Sequence, residues 1–344
     1  MTEMQGAPDL GFRAGAGASP VDLLVAGDAV PDAIVGDVAG EIAFGQAETL
    51  VERGALTIGG SSAIMACGAA RLGLRVAFVG VFGDDAAGRF MLAELSAHGV
   101  DVSGCVVLPE RATGLTVNLV RPGAEHDRAL LTYPGCVGEL TALMVRRALV
   151  ERVRHLHVGS FYLLPKLAPD LVSLFTEAHR AGCTTSLDTQ SDWEGRWQGG
   201  LREVLCETDL YFPNRDEALA VAASLGAGPL TGVDLEPVLE RLAGLGPLPV
   251  VKCGAQGAVT LGGETVVRAA ALRVDPVDTI GAGDNFDAGF VYGHLQGWPV
   301  ERCLAFAVAC GSLSTRKAGG VDAQPQVAEV LAASADAGAG HLPL

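Results

Sequence analysis

Asp278-Thr279-Ile280-Gly281-Ala282-Gly283-Asp284-Asn285-Phe286 sets three small residues directly before a carboxylate, and the residues after that carboxylate read as a helix. Phe286, Phe290, Gly293 and Leu295 fall near one face, Ala288 and Val291 continue the apolar pattern, and Gly297-Trp298-Pro299 supplies a stop. Gly281 and Gly283 let the backbone turn tightly and let a ligand approach it, while unsatisfied N–H groups and the helix dipole attract negative charge there. A phosphate fits such a turn. Asp284 in the first turn is then a proton acceptor beside an anion pocket, the pairing that activates a hydroxyl for attack on a phosphoryl group. An aspartate there can also be an ordinary helix cap. The Gly-Ala-Gly-Asp string after Asp278-Thr279 favours a site.

The rest of the chain allows this chemistry and excludes several others. A length of 344 residues with 49% hydrophobic content can bury a substantial core, in one large domain with an appendage or in two modest ones. The net charge of −16, the pI near 4.8 and the lack of a basic cluster argue against a nucleic-acid surface. An acidic protein that binds a polyanionic nucleotide must concentrate positive potential locally. Backbone amides and a metal ion, Mg2+, suit that need better than a field of lysines. The eight cysteines contain no C-x-x-C pair, so neither zinc nor a disulfide framework is expected. Residues 1–20 are rich in Gly and Ala without a basic start and an apolar run, which predicts a flexible tail rather than a signal peptide. No segment approaches the ~20 apolar residues of a membrane span. The expected location is cytoplasmic.

From Val21 the order is strand, helix, strand, helix, which predicts a parallel sheet covered on both faces. Strands are expected at Val21 to Ala26, Arg75 to Gly80, His155 to Val158, Thr184 to Leu187, Leu210 to Phe212, Pro249 to Lys252 and Ala258 to Leu261. Helices are expected at Ser61 to Leu72, Ala86 to His98, Pro169 to Ala181, Arg215 to Ala223 and Leu235 to Leu245. Two regions break the rhythm, Asp37 to Ile58 and Thr113 to Tyr133, where short β-branched segments such as Leu115 to Val120 and Arg128 to Tyr133 suggest inserted hairpins.

Further candidates cluster at the carboxyl ends of the expected strands, where open α/β sheets bind ligands. Asp32 follows the first strand, and its carboxylate can accept from two hydroxyls of a polyol, although it reads equally as a solvated turn aspartate. Gly59-Gly60 precedes a helix and lets amides approach a polar group, although such a pair at a strand–helix turn is by itself more often simple turn chemistry. Ser160, Phe161 and Asp188 end strands at the same edge, whereas His155 and His157 alternate with apolar residues and read as strand residues. Asn214 and Glu217 have the spacing of a capping box. Gly254 and Gly257 make a tight strand-to-strand loop after Lys252, and no Walker A sequence occurs, which disfavours a P-loop kinase.

The Asp278 to Asp284 string resembles the signature of the ribokinase-like (PfkB) family of carbohydrate kinases, and the resemblance extends from about Val21 to about Pro325. It implies a three-layer α/β/α sandwich with a mostly parallel central sheet and a small β-sheet lid. The domain would span 21–330, with lid segments near 37–58 and 113–133 and a flexible tail at 331–344. The resemblance implies that Asp284 is the catalytic base, that the Gly281-Ala282-Gly283 backbone is the anion hole, and that Asp278 and the Ile280 carbonyl hold a monovalent cation such as K+. It assigns Asp32, Gly59 and Gly60 to the sugar, with Ser160 and Phe161 as pocket walls. Asn214 would meet the phosphates of ATP, with Glu217 organising Mg2+ through water. Asp188 and the loop carrying Lys252, Gly254 and Gly257 would run beside the nucleotide, with Val308 and Gly319 near the adenine and the cation. Ile64 departs from the pattern, because sugar kinases of the family usually carry an asparagine there, and this implies a less polar or differently oriented substrate. Lids in the family often pair, which leaves room for a homodimer. A nucleoside kinase, with Ile64 and Phe161 walling a base, and a ligand-binding regulator without catalysis are the alternatives.

Overall fold

The computed structural model describes residues 21–336 apart from 37, 39, 43, 122–127, 150–152 and 228–233, so the tail expected over 1–20 lies outside the described residues. The chain starts with β1 (Leu23–Ala26), β2 (Val30–Gly36), β3 (Arg53–Gly59), α1 (Ser61–Arg71), β4 (Val76–Val79), β5 (Val81–Gly83), α2 (Ala86–Ala97) and β6 (Val106–Leu108). It continues with β7 (Leu115–Val120), β8 (Arg128–Tyr133), α3 (Ala142–Ala148), β9 (His155–Val158), α4 (Leu171–Arg180), β10 (Thr184–Leu187), α5 (Leu201–Leu205), β11 (Leu210–Tyr211) and α6 (Arg215–Ala222). The last part holds α7 (Glu236–Ala243), β12 (Leu248–Pro249), β13 (Val251–Lys252), β14 (Ala258–Gly262), β15 (Thr265–Ala269), α8 (Ala282–Leu295), α9 (Val300–Ser314) and α10 (Val327–Asp336).

Every residue of β1 is buried, because the strand lies inside a six-stranded parallel sheet of order β12-β11-β10-β9-β1-β4. Strands covered on both faces read as unbroken apolar runs. Leu24 and Ala26 point into a core built with α3, α4, α5, α6 and α7, whereas Leu23 and Val25 point into a second core with α1, α2, α8 and α9. The sheet is thus the middle of three layers. His155 sits within it as expected of a strand residue, its two ring nitrogens each 2.7 Å from a hydroxyl, Thr184 Oγ1 and Ser186 Oγ.

A second sheet, β3-β2-β7-β8, combines antiparallel β2–β3 and β7–β8 pairs with a parallel β2–β7 pair. β7 and β8 occupy the two segments expected of a hairpin. The other half differs: β2 starts at Val30, ahead of the expected Asp37 boundary, and carries Asp32 within a strand instead of in a turn. Pro31 disguised it. The proline is tolerated because β2 pairs with β7 only from Asp32 onward, so its missing N–H costs no ladder bond there. The sheet's outward face leaves Leu56, Leu115, Leu131 and Tyr133 exposed.

Pro249 to Lys252 is likewise two strands. Leu248–Pro249 completes the parallel sheet, then the chain changes partner and Val251–Lys252 pairs antiparallel with β14. Of the tail expected over 331–344, residues up to Asp336 belong to α10, with Val330 buried against Phe306 and Leu313; residues 337–344 lie outside the described ones. Among the described residues no helix is long and apolar enough to cross a membrane.

Candidate active site

The parallel order decides what meets what. At the carboxyl ends of β1, β9, β10, β11 and β13 stand Asp28, Ser160, Asp188, Asn214 and Lys252, and the entrance of α8 lies over this row. Gly281 caps α8 with φ 72°. A Cβ there would come within 2.7 Å of Gly320 Cα and 2.9 Å of Ile64 Cγ2, so the turn requires glycine by conformation and by space. Asn285 pins the turn, its Nδ2 donating to the carbonyls of Gly281 at 2.8 Å and Gly320 at 2.9 Å. Ala282 N–H, expected in the anion hole, turns back onto the Thr279 carbonyl at 3.3 Å, whereas the amides of Gly281, Gly283 and Asp284 have no acceptor among the described residues. These three amides and the helix dipole make the turn electropositive.

Asp284 lines a cavity of about 210 Å³ shared with Asp28, Asp32, Gly60, Ser61, Ile64, Asn118 and Arg128. Its Oδ1 accepts a hydrogen bond from Ser61 Oγ. Loss of surrounding water raises its pKa to about 7, against the Ser61 bond and the Lys252 charge, which favour the ionised form. Ser61 is itself anchored: its N–H donates to Asp28 Oδ2 at 3.1 Å, while Asp28 Oδ1 accepts from Ser62 Oγ and Ser160 Oγ, each at 2.8 Å. Asp28 therefore holds the amide end of α1 and, through Ser61, the Asp284 carboxylate.

The second sheet supplies the roof of the cavity. Asp32, buried, has its pKa raised to about 7 by burial, with Asn118 and Arg128 opposing. Gly59 makes this placement possible, because a Cβ on it would lie 2.0 Å from Asp32 Oδ1. Asn118 is fully buried, and neither polar atom of its side chain has a hydrogen-bond partner of normal geometry among the described residues. Such an amide facing a cavity is an opening for a polar ligand. Ile64 lines the cavity and also packs against Gly281 and Gly320. Ser160 and Phe161, expected as pocket walls, are not there: Ser160 serves Asp28, and Phe161 is buried in the core edge-on to Tyr162. An aromatic ring at the end of a central strand gains more from the apolar layer beneath it.

On the other side of Asp284 lies a charged cluster. Carboxylate oxygens of Asp188, Asp284 and Asp287 lie within 4.8 Å of one another, and Lys252 Nζ donates to Asp188 at 2.8 Å and Asp287 at 3.1 Å. Burial opposes the charge of Asp188, yet Lys252 holds it below the usual carboxylate range, while burial pushes Asp287 well above it. Asn214 and Glu217 form the reciprocal capping box, each bond 2.9 Å, and burial followed by repulsion from Asp188 raises Glu217 to about 7. The cluster has more carboxylates than cations, and its hard oxygen donors fit Mg2+.

The remaining candidates scatter. Gly254 and Gly257 shape the turn between β13 and β14, and Gly257 has no room for a side chain, since a Cβ would lie 1.9 Å from the Ala269 carbonyl oxygen. Val308, on α9, is buried in the core that also holds α8 residues. Asp278 Oδ1 accepts from Ile280 N–H at 2.9 Å and Arg128 Nη1 at 3.3 Å, and Oδ2 accepts from Gly319 N–H at 3.0 Å. Both oxygens are engaged, and a guanidinium already brings positive charge.

Sequence reasoning missed Asp28, Ser61, Asn118, Arg128 and Asp287. Asp287 had a local signal, three residues beyond Asp284 and hence on the same helix face. Ser61 opens α1 directly after Gly59-Gly60 and Asp28 follows β1, so both lay beside readable motifs, whereas Asn118 and Arg128 have no local signal, because strand pairing in the second sheet brings them in.

Residues 22–327 match the description "pfkB family carbohydrate kinase". The chain is 32% identical to acarbose 7(IV)-phosphotransferase of Actinoplanes sp., over 75% of this chain and 81% of that protein. It is 27% identical to 5-dehydro-2-deoxygluconokinase of Bacillus velezensis, over 80% and 84% of the two chains. In fold it is similar to an E. coli protein described as Ribokinase II in complex with ATP and Mg2+, with TM-score 0.77, 22% identity and coverage of 92% and 99%. A match that runs through nearly the whole described chain, over a parallel sheet whose carboxyl ends gather around a glycine-capped helix entrance, places this chain in the PfkB family of carbohydrate kinases.

Proposed function

We propose that the protein transfers the γ-phosphoryl group of ATP to a hydroxyl of a sugar or sugar-like metabolite, with Asp284 as general base and the amides at the α8 entrance as anion hole. The observation that carries this reading is one cavity holding both a carboxylate of raised pKa and the unsatisfied amides of a helix start. Asp32, Asn118 and Arg128 hold the acceptor by its polar groups. Asp284 removes the hydroxyl proton as the oxygen attacks phosphorus. The P–O bond to the acceptor forms, the bond to the leaving oxygen breaks, and its electron pair departs with ADP. Mg2+, held near Glu217 through water, would supply charge neutralisation of the phosphates. The second sheet is the lid that excludes water, and its outward leucines and Tyr133 are the surface through which a homodimer would pair. The nucleoside alternative loses its aromatic wall with Phe161 in the core.

A coupled assay of ADP release against sugars, sugar acids, polyols and nucleosides tests the reading; turnover with nucleosides alone, or with nothing, would overturn it. Because the pKa of Asp284 is raised, the base is ionised above about pH 7 and protonated below it. kcat/KM for the accepted sugar is therefore expected to fall about tenfold per pH unit below that value and to level off above it. An acid limb near the ordinary carboxylate value of about 4 would contradict the environment described. Gly59→Ala is expected to displace Asp32 and raise the acceptor KM about tenfold or more, with the KM for ATP unchanged. Steady-state kinetics in both substrates reads the difference.

A further inference from the structure

Lys252 ends β13 and is buried to 13% side-chain exposure, its ammonium paired with Asp188 and Asp287. A methyl group built on Gly283 would meet Nζ at 3.5 Å, so the ammonium stands against the first turn of α8, where the Gly283 and Asp284 amides have no acceptor among the described residues. Taking an ammonium and two carboxylates out of water is costly, and packed apolar residues often replace such clusters without loss of stability. The fold alone gives little reason to keep this one. Its location gives a better reason.

We propose that Lys252 is a further catalytic residue: its ammonium meets the transferring γ-phosphoryl group beside the anion turn and offsets the negative charge on that group's oxygens. The proposal rests on the kinase reading and deepens it. Asp188 and Asp287 are positioning residues, taking two of the three ammonium N–H groups and leaving one for a phosphoryl oxygen. Lys252 gives up no proton; that of the acceptor goes to Asp284. A cation serving the γ-phosphoryl group recognises ATP and not ADP, and this separates it from a residue that only supports the fold.

Calorimetry with ADP and with the unreactive β,γ-imido analogue of ATP, on the wild type and Lys252→Met, measures that distinction. The variant is expected to bind the analogue about tenfold or more weaker with ADP affinity changed less than about twofold, and kcat is expected to fall about 100-fold with acceptor KM unchanged. Lys252→Met leaves two buried carboxylates without their cation, which threatens folding. The double variant Lys252→Met/Asp287→Asn removes one of those charges and must show the same split between the two nucleotides. Equal losses for both nucleotides, or an unchanged kcat, overturn the proposal while leaving the kinase reading intact. A wild type that binds neither nucleotide sinks the kinase reading, and the role of Lys252 with it.

Discussion

Asp284→Asn is expected to lower kcat by about 10²–10⁴-fold, the span that a positioned general base contributes. The substitution keeps the size of the side chain and its place in the first turn of α8, and an amide oxygen can still accept from Ser61 Oγ. What it removes is the capacity to take a proton from the acceptor hydroxyl. ATP affinity should therefore change little, and calorimetry on the folded variant separates the two effects. The carboxylates of Asp188 and Asp287 lie within 4.8 Å of Asp284, so neutralising it relieves repulsion, and the variant should melt no lower than the wild type. An Asn variant with near wild-type turnover would remove the base from the mechanism, whatever its melting point.

The next largest effect is expected from Gly281→Ala. At φ 72° an L-residue is strained by about 1–2 kcal/mol, and the new methyl would press on Gly320 Cα, a backbone atom with no freedom to swing away. The turn must open. Its displacement carries the Gly283 and Asp284 amides off their aim, and loss of one anion-hole donor typically costs about 10²–10³-fold in kcat. Adding Ile64→Ala relieves only the second contact, that with Ile64 Cγ2, so partial recovery at most is expected. Unchanged kcat in Gly281→Ala, with the protein folded by thermal melting, would show that these amides do not serve the transition state.

How far the site could be read from the chain depends on the range of each signal. The run Leu115 to Val120 and its partner Arg128 to Tyr133 were legible because each is a short run rich in apolar residues with β-branched ones among them, next to turn residues such as Gly114 and Pro134. Val30–Gly36 was not, because Pro31 and Asp32 are turn residues by composition and only the pairing with β3 and β7 makes them a strand. Pro249 misled in the opposite direction by hiding a change of sheet. The helix to Asp336 looked like a frayed Ala/Gly tail, since its hold is one buried face against α9.

The same division runs through the chemistry. Gly281, Gly283 and Asp284 are a local device: backbone freedom, exposed amides and a first-turn carboxylate arise from consecutive residues, and the sequence alone determined them. It also determined the parallel sheet, through apolar runs alternating with helical periods. Only the tertiary structure decided that Asp287 and Asp188 would share Lys252, that Arg128 would take the Asp278 carboxylate, that Asn118 would face the cavity beside Asp32, and that Phe161 would leave it. The physical reason is that conformational preferences act over a few residues, whereas a charge or a buried amide acquires its role from neighbours that strand order and register bring across the fold.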